Sequence, residues 1–420
     1  MRRPVSPFGD LPREVAVLAA VALAVAVGFG VVAPAIPVFA RDFGVGKTAA
    51  GAVISAFALM RFVSALAGGK LVDAFGERVI LTSGILIVAV STGLAGAAQS
   101  YEQLLVLRGI GGIGSAMFTV AAVALLFRVV DSSRRGRASS MFQGGFLVGG
   151  LLGPLLGGWL TGISLRLPFA VYAVSLLVAG AIGAVFLAKA EIRDEPAVPV
   201  VDAPADDPTD APTDAPTDDP AEVVSTSLRE AFAHPAYRTA LVVSFGTGWG
   251  LFGVRMSLVP LFVTEAMQVG VIWVGVGFLL SSLAQAALLI PAGRYIDQVG
   301  RRPAMMAGGA VAGVAMLLIA FSTLLPVYLV AMLLFGAGSA LMGSAPGAVV
   351  GDVMKGRGGR VVAAFQMSSD LGAIAGPLVA GALADTLSYG WAFAVTAGVL
   401  FVGVAMSTRM PETRQPTPLT

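Results

Sequence analysis

The chain has 420 residues, of which 56% are hydrophobic and 12% charged, with a formal net charge of +2. Soluble globular chains carry about 25% charge, so too few charges remain here to cover a water-facing surface, and the near-neutral balance gives no footing for nucleic acid. With no cysteine and one histidine, His234, the composition excludes disulfides, thiol catalysis and thiolate or histidine metal clusters.

About twelve apolar runs are long enough to span a bilayer, by the rule of about 20 residues per span. They are read as helices over 14–40, 47–72, 79–98, 102–129, 139–162 and 167–189, then 237–265, 270–293, 303–323, 325–350, 361–384 and 388–408. The first run follows Arg2 and Arg3 and is too long for the apolar core of a signal peptide, so it is read as the first span. Gly30, Pro34 and Pro37 should bend it. The fold class is therefore an all-α membrane protein with twelve transmembrane helices in two six-helix bundles. The expected division is 1–189, a linker at 190–236, 237–409, and a tail at 410–420. The linker contains the acidic repeat PADDPTDAPTDAPTDDP, which cannot bury a core and should be disordered. Ser227 and Glu230 fit a capping box. The segment after it, broken by Pro235 and holding His234, should lie at the membrane interface.

Lys and Arg set the orientation. Of 27, 21 fall on the side that holds both termini and the linker, three (Arg41, Lys47, Arg166) on the other, and three (Arg61, Arg108, Arg255) inside spans. The positive-inside rule then puts both termini in the cytoplasm. The expected location is the plasma (inner) membrane, multi-pass, with the lipid bilayer as the surrounding partner.

Between the second and third spans stands GKLVDAFGER, with Gly69, Asp73, Gly76 and Arg78. It returns as GRYIDQVGRR, with Gly293, Asp297, Gly300 and Arg301, and Asp297 lies 224 residues after Asp73. Gly112, Gly114 and Ser115 match Gly336, Gly338 and Ser339 at the same offset, so the chain is duplicated. Like-oriented halves of this kind place a substrate site near the midplane between them.

Three motifs carry a family resemblance. The first is the charged turn. The second runs through the fourth span from Leu104 to Ala116 and includes Arg108. The third, in the fifth span, orders Gly149, Gly153, Pro154, Gly157, Gly158 and Leu160 as G-x-x-x-G-P-x-x-G-G-x-L. The chain resembles a major facilitator superfamily transporter, and within it the twelve-helix drug:proton antiporters, or multidrug efflux family. The likeness covers nearly all of the chain outside linker and tails. It implies that Asp73 latches the cytoplasmic side, that Arg108 serves proton coupling, and that the glycine motif makes a tight contact between the halves, sealing the bundle. Ala74 and Glu77 depart from the family's basic residues, and Glu77 is expected to weaken the charge network. Apart from Glu14 and Glu102 at their very first residues, no acidic residue lies in the first or fourth span.

The carboxylates left for proton carriage are Asp370, Asp73 and Glu265, with Asp370 the most deeply placed. Gln143 and Gln366 occupy equivalent places in the halves. The substrate and proton pathway is expected to include Arg61, Arg108, Gln143, Trp249, Phe252, Arg255, Gln366 and Asp370, with Phe57, Met60 and Phe118 beside them. The expected function is export of a small amphipathic molecule in exchange for protons by alternating access. The alternative is a proton-coupled importer or facilitator of a nutrient, and a non-transporting membrane receptor stands behind it. The partners are then a small-molecule substrate and protons, in a monomer without nucleic acid. No paired carboxylates, metal cluster or nucleophile–base set suggests an enzyme, and no cofactor is expected. Gly109, Gly111 and Gly114 fit a dinucleotide-binding pattern, but they lie inside a span with no strand before them.

Overall fold

Pro34 ends the first helix early. A proline has no N–H to donate and its ring clashes with the preceding turn, so the run 14–40 becomes α1 (Arg13–Val32) and α2 (Ala35–Asp42). The structure is a computed structural model that describes residues 12–130, 134–187, 226–354 and 359–414. The acidic repeat, within 188–225, lies outside them.

The first half continues with α3 (Lys47–Phe75), α4 (Glu77–Gly96), α5 (Tyr101–Val129), α6 (Arg135–Ile163) and α7 (Leu167–Leu187). A short α8 (Leu228–Ala233) then leads into α9 (Pro235–Thr247). A π-helical stretch, Gly248–Val254, follows, then α10 (Arg255–Leu261) and a second π-helical turn, Phe262–Ala266. The second half closes with α11 (Ile272–Gln298), α12 (Arg301–Ala320), α13 (Leu325–Val353), α14 (Gly359–Thr386) and α15 (Tyr389–Arg409). Counting α9, α10 and their π turns as one, twelve helices among the described residues are long and apolar enough to cross a membrane. Large apolar side chains such as Val185 and Ile290 stand more than three-fifths exposed. Bilayer hydrocarbon is the medium that suits such a surface.

Each half holds its own apolar core. The duplicated turn is the same device twice. Gly76 and Gly300 have φ of 81° and 135°, in a region that only glycine enters without a steric penalty, and each joins two helices with no loop between them. Ser227 and Glu230 form the expected capping box on α8. His234 serves as N-cap of α9, its Nδ1 accepting from the Ala236 N–H at 3.3 Å.

The chain beyond α15 is not a loose tail at its start. The Glu412 carboxylate accepts from the Arg301 and Arg302 N–H groups at 2.9 and 3.0 Å and so caps α12. Thr413 Oγ1 donates to Asp352 at 2.8 Å, and Arg414 donates to the Gln298 carbonyl. Burial pushes the Glu412 carboxyl up, but the N–H groups of Arg301, Arg414, Arg302 and Thr413 outweigh it and hold the group below the usual range.

The helix ends fall on two faces. One carries Asp42, Lys47, Glu265 and Asp385 and has few arginines. The other carries the duplicated turns and is rich in arginine.

Candidate functional site

The halves meet along two lines. The antiparallel pair α3 and α14 is one, with Gly51 and Gly381 letting the backbones approach. A Cβ on Gly51 would stand 2.6 Å from the Pro377 carbonyl oxygen, and one on Gly381 would stand 2.7 Å from Thr48 Cα. The pair α6 and α11 is the other, where a Cβ on Gly275 would lie 2.6 Å from the Pro154 carbonyl oxygen and one on Gly158 would lie 3.0 Å from Gly275 Cα. All these approaches lie between mid-depth and the arginine-poor face.

Polar contacts across the halves follow the same gradient among the described residues. At the arginine-poor face Arg41 Nε donates to Glu265 at 2.6 Å, and Tyr389 Oη, from the same half as Glu265, donates to that carboxylate at 2.7 Å. The Glu265 hydrogen bond, outweighing the effect of burial, raises Arg41 above the ordinary guanidinium value. Lys47 Nζ lies 3.6 Å from Asp385 and 5.1 Å from the Tyr389 ring centre. Deeper, Ser55 Oγ donates to the Ile374 carbonyl at 2.7 Å. At mid-depth Arg61 Nη2 donates to Asp370 Oδ1 at 3.2 Å, with 45% and 28% of the two side chains exposed.

The other embedded arginines behave differently. Arg108 and Arg255 are 2% and 5% exposed. Each lies 4.5 Å over a phenylalanine of its own half, Phe57 for Arg108 and Phe278 for Arg255. Among the described residues Nε and Nη1 of Arg108 and Nε of Arg255 have no hydrogen-bond acceptor, and Arg255 Nη2 reaches the Phe278 carbonyl at 3.4 Å. Cation–π stacking accounts for their position. The structure thus separates Arg61, which is paired and accessible, from two arginines sunk into the bundles.

Gln143 and Gln366 are both exposed, as equivalent positions should be. Trp249 is buried and donates to Thr396 Oγ1 at 3.2 Å, inside its own half, whereas Phe252 is half exposed. Both belong to the π-helical stretch, and α14 lies close along it: a Cβ on Gly376 would meet the Trp249 carbonyl oxygen at 2.8 Å and one on Gly253 would meet Pro377 at 2.9 Å. The π turns had no signature in the apolar pattern. Phe118 is buried, while Phe57 and Met60 are half-buried.

The glycine face of α6 packs elsewhere than the family resemblance implies. Gly145, Gly149, Gly153 and Gly157 all lie against α1 of the same half, with a Cβ on Gly153 2.6 Å from the Val27 carbonyl oxygen. Only the next face, Gly158 with the Pro154 carbonyl, reaches the other half. The reason is spacing: residues four apart share one stripe of a helix, and Gly158 lies about 100° off it.

In the duplicated turn, Gly69 and Gly293 lie within α3 and α11, and Asp73 is exposed on the last turn of α3. Glu77 is not a weakness in the network. It binds Arg128 with both oxygens, at 2.8 and 2.9 Å. Arg301, its counterpart 224 residues on, binds Asp352 at 2.9 Å, and Asp352 is the counterpart of Arg128. Arg301 also reaches Asp297 at 3.4 Å. The same clasp is built twice with its charges exchanged. Arg78 is half-buried at the start of α4. Glu77→Arg is expected to lower stability by about 1 kcal/mol, and adding Arg128→Glu is expected to restore it. Thermal unfolding of both single variants and the double variant measures that coupling.

Two six-helix bundles, joined at one face by helix-end ion pairs and at mid-depth by a charge pair, define a two-bundle membrane transporter rather than an enzyme. The chain belongs to the Major Facilitator Superfamily, whose family model matches residues 18–282 and 256–420. It is 28% identical over 168 residues to Multidrug resistance protein 1 of Bacillus subtilis, a match covering 40% of this chain and 43% of that protein. It is 30% identical over 146 residues to Quinolone resistance protein NorA of Staphylococcus aureus, covering 34% and 37%. The chain therefore spans less than half the length of the curated relatives it matches. Among solved structures, a bacterial homolog of the human lysosomal transporter Spinster, inward-facing and unoccupied, superposes with a TM-score of 0.73 at 14% identity over 94% of this chain and 95% of that one. A mutant of the nucleoside transporter NupG gives 0.70 at 13% identity, covering 94% and 99%. At such identity these two likenesses show the fold alone.

Proposed function

We propose that the protein exports a small amphipathic molecule in exchange for protons by alternating access, with the arginine-rich face in the cytoplasm. The observation that carries this reading is the Arg61–Asp370 pair. It crosses the halves at mid-depth, and both side chains are partly exposed. A lone Arg or Asp at the centre of a bilayer costs about 2.5–3.5 kcal/mol even on the insertion scale, so the pair holds the halves together while Asp370 is ionised. A proton on Asp370 cancels that attraction and frees Arg61. Proton occupancy and the relation between the halves are thereby linked.

The Gly-Pro motif of α6 and the partial similarity to multidrug and quinolone resistance proteins favour export over uptake. Lys and Arg counts favour a cytoplasmic arginine-rich face, and closure at the other face then makes the arrangement inward-facing. Asp73 keeps its proposed role as the cytoplasmic latch of the alternate state. Arg108 and Arg255 are buried and Arg61 is paired, so none of the three embedded cations argues for an anionic substrate.

The test uses proteoliposomes with a trapped pH dye and a panel of cationic, neutral and anionic amphipaths. Wild-type protein should move protons only when a substrate is present, and Asp370→Asn should abolish that flux. Flux that persists in the variant would move the carrier to Asp73 or Glu265. Substrate movement without proton flux would replace antiport by facilitated transport.

A further inference from the structure

Helix α3 starts badly. Its N-cap, Gly46, has no side chain to accept from the first free N–H groups, which every helix leaves without intrahelical partners. The acceptor comes from the other half. Asp385, on the last turn of α14, takes the Lys47 N–H at 2.9 Å on Oδ1, and the Thr48 N–H and Thr48 Oγ1 at 2.8 Å each on Oδ2. Gly46 makes the room, since a Cβ there would stand 2.9 Å from Asp385 Oδ2. A carboxylate at the C-terminal end of its own helix faces the negative end of that helix's dipole, and the N-terminus of another helix is where it is stabilised. Asp385 is therefore repelled by α14 and held by α3.

The opposite ends of the same two helices offer the same two elements, a carboxylate and a helix start, with the roles exchanged. Asp73 stands on the last turn of α3, at the end of the pair where α14 starts at Gly359. It is exposed, and among the described residues it makes no hydrogen bond or ion pair. The two helices are antiparallel, run the depth of the protein and touch between mid-depth and the arginine-poor face. A rocking motion that parts one pair of ends brings the other together.

We propose that Asp385 is the latch of the arginine-poor face and exchanges with Asp73: each caps the N-terminus of the partner helix in one state and is released in the other. The α3–α14 pair is then a two-position toggle whose settings are two aspartates. This rests on the alternating-access reading, but the latch is measurable without substrate.

The chain has no native cysteine, so spin labels go on introduced ones. Asp42 with Leu387 spans the arginine-poor face, and Phe75 with Val362 spans the other. Wild-type protein should give a short distance for the first pair and a long one for the second. Asp385→Ala should raise the population open at the arginine-poor face about tenfold, with the Phe75–Val362 distance shortening in step. Asp73→Ala should not, and combining the two should return the populations toward wild type. Gly381→Leu, which wedges α14 from Thr48 with Asp385 intact, should open the same face. Unchanged distances in a folded Asp385→Ala protein would overturn the latch, as would equal shifts from Asp385→Ala and Asp73→Ala. Distances that shift as expected in a protein that moves no substrate would leave the latch standing and remove the export reading instead.

Discussion

A Gly153→Leu variant is expected to yield no folded transporter. The Cβ alone would stand 2.6 Å from the Val27 carbonyl oxygen and 2.7 Å from Gly30 Cα, and both are backbone atoms that no rotamer change can move. Gly149 on the same stripe would press its Cβ to 2.5 Å from Ala26 Cβ. Membrane helices associate largely by van der Waals packing, and small residues permit the closest approach. Even Gly153→Ala should cost about 1–3 kcal/mol as an overpacked contact, and leucine parts the two helices. Gly150→Leu is the control, because no atom lies within 4 Å of its would-be Cβ. Size-exclusion profiles and thermal unfolding in detergent read the result: a broken Gly153→Leu beside an intact Gly150→Leu. A Gly153→Leu protein with wild-type melting and no transport would assign the motif to the cycle rather than to packing.

The second large effect runs the other way. Arg108→Met and Arg255→Met are expected to stabilise the protein, by about 1–4 kcal/mol if they follow other buried charges replaced by apolar residues of similar size. Among the described residues neither guanidinium has a carboxylate partner, and three of their nitrogens, two in Arg108 and one in Arg255, have no acceptor. Burying such groups costs free energy that methionine avoids while filling similar space. Arg61→Met should do the opposite, because it strands Asp370 at mid-depth. Melting temperatures of the three variants decide it. Lower melting points for Arg108→Met and Arg255→Met would mean that stacking on Phe57 and Phe278 outweighs the unmet donors.

The sequence shows helices and their ends well, because both follow from local rules. The apolar runs marked every span, Ser227 and Glu230 marked a cap, and Gly76 and Gly300 marked turns that need positive φ. Pro34 was legible as a bend and proved a full break. Asp370 was legible as a deep carboxylate, but its partner Arg61 was not, since 309 residues separate them. Arg41 and Asp385 gave no signal at all. A charged residue just outside an apolar run looks solvated until a second helix end, far along the chain, is placed beside it. Glu77 was misjudged for a related reason: judged alone it breaks a basic pattern, and judged with Arg128 it completes a pair.

The exchanged charges of the two clasps bear on how the chain assembles. The halves are copies, so α4 resembles α12 and α5 resembles α13, and during insertion each helix meets both its true neighbour and that neighbour's copy. A hybrid of α4 with α13 would set Glu77 against Asp352, and one of α12 with α5 would set Arg301 against Arg128. Like charge would face like in both mispairings. The correct halves put opposite charges together at 2.8 and 2.9 Å. A duplicated protein thus carries in four residues a key that tells one copy from the other.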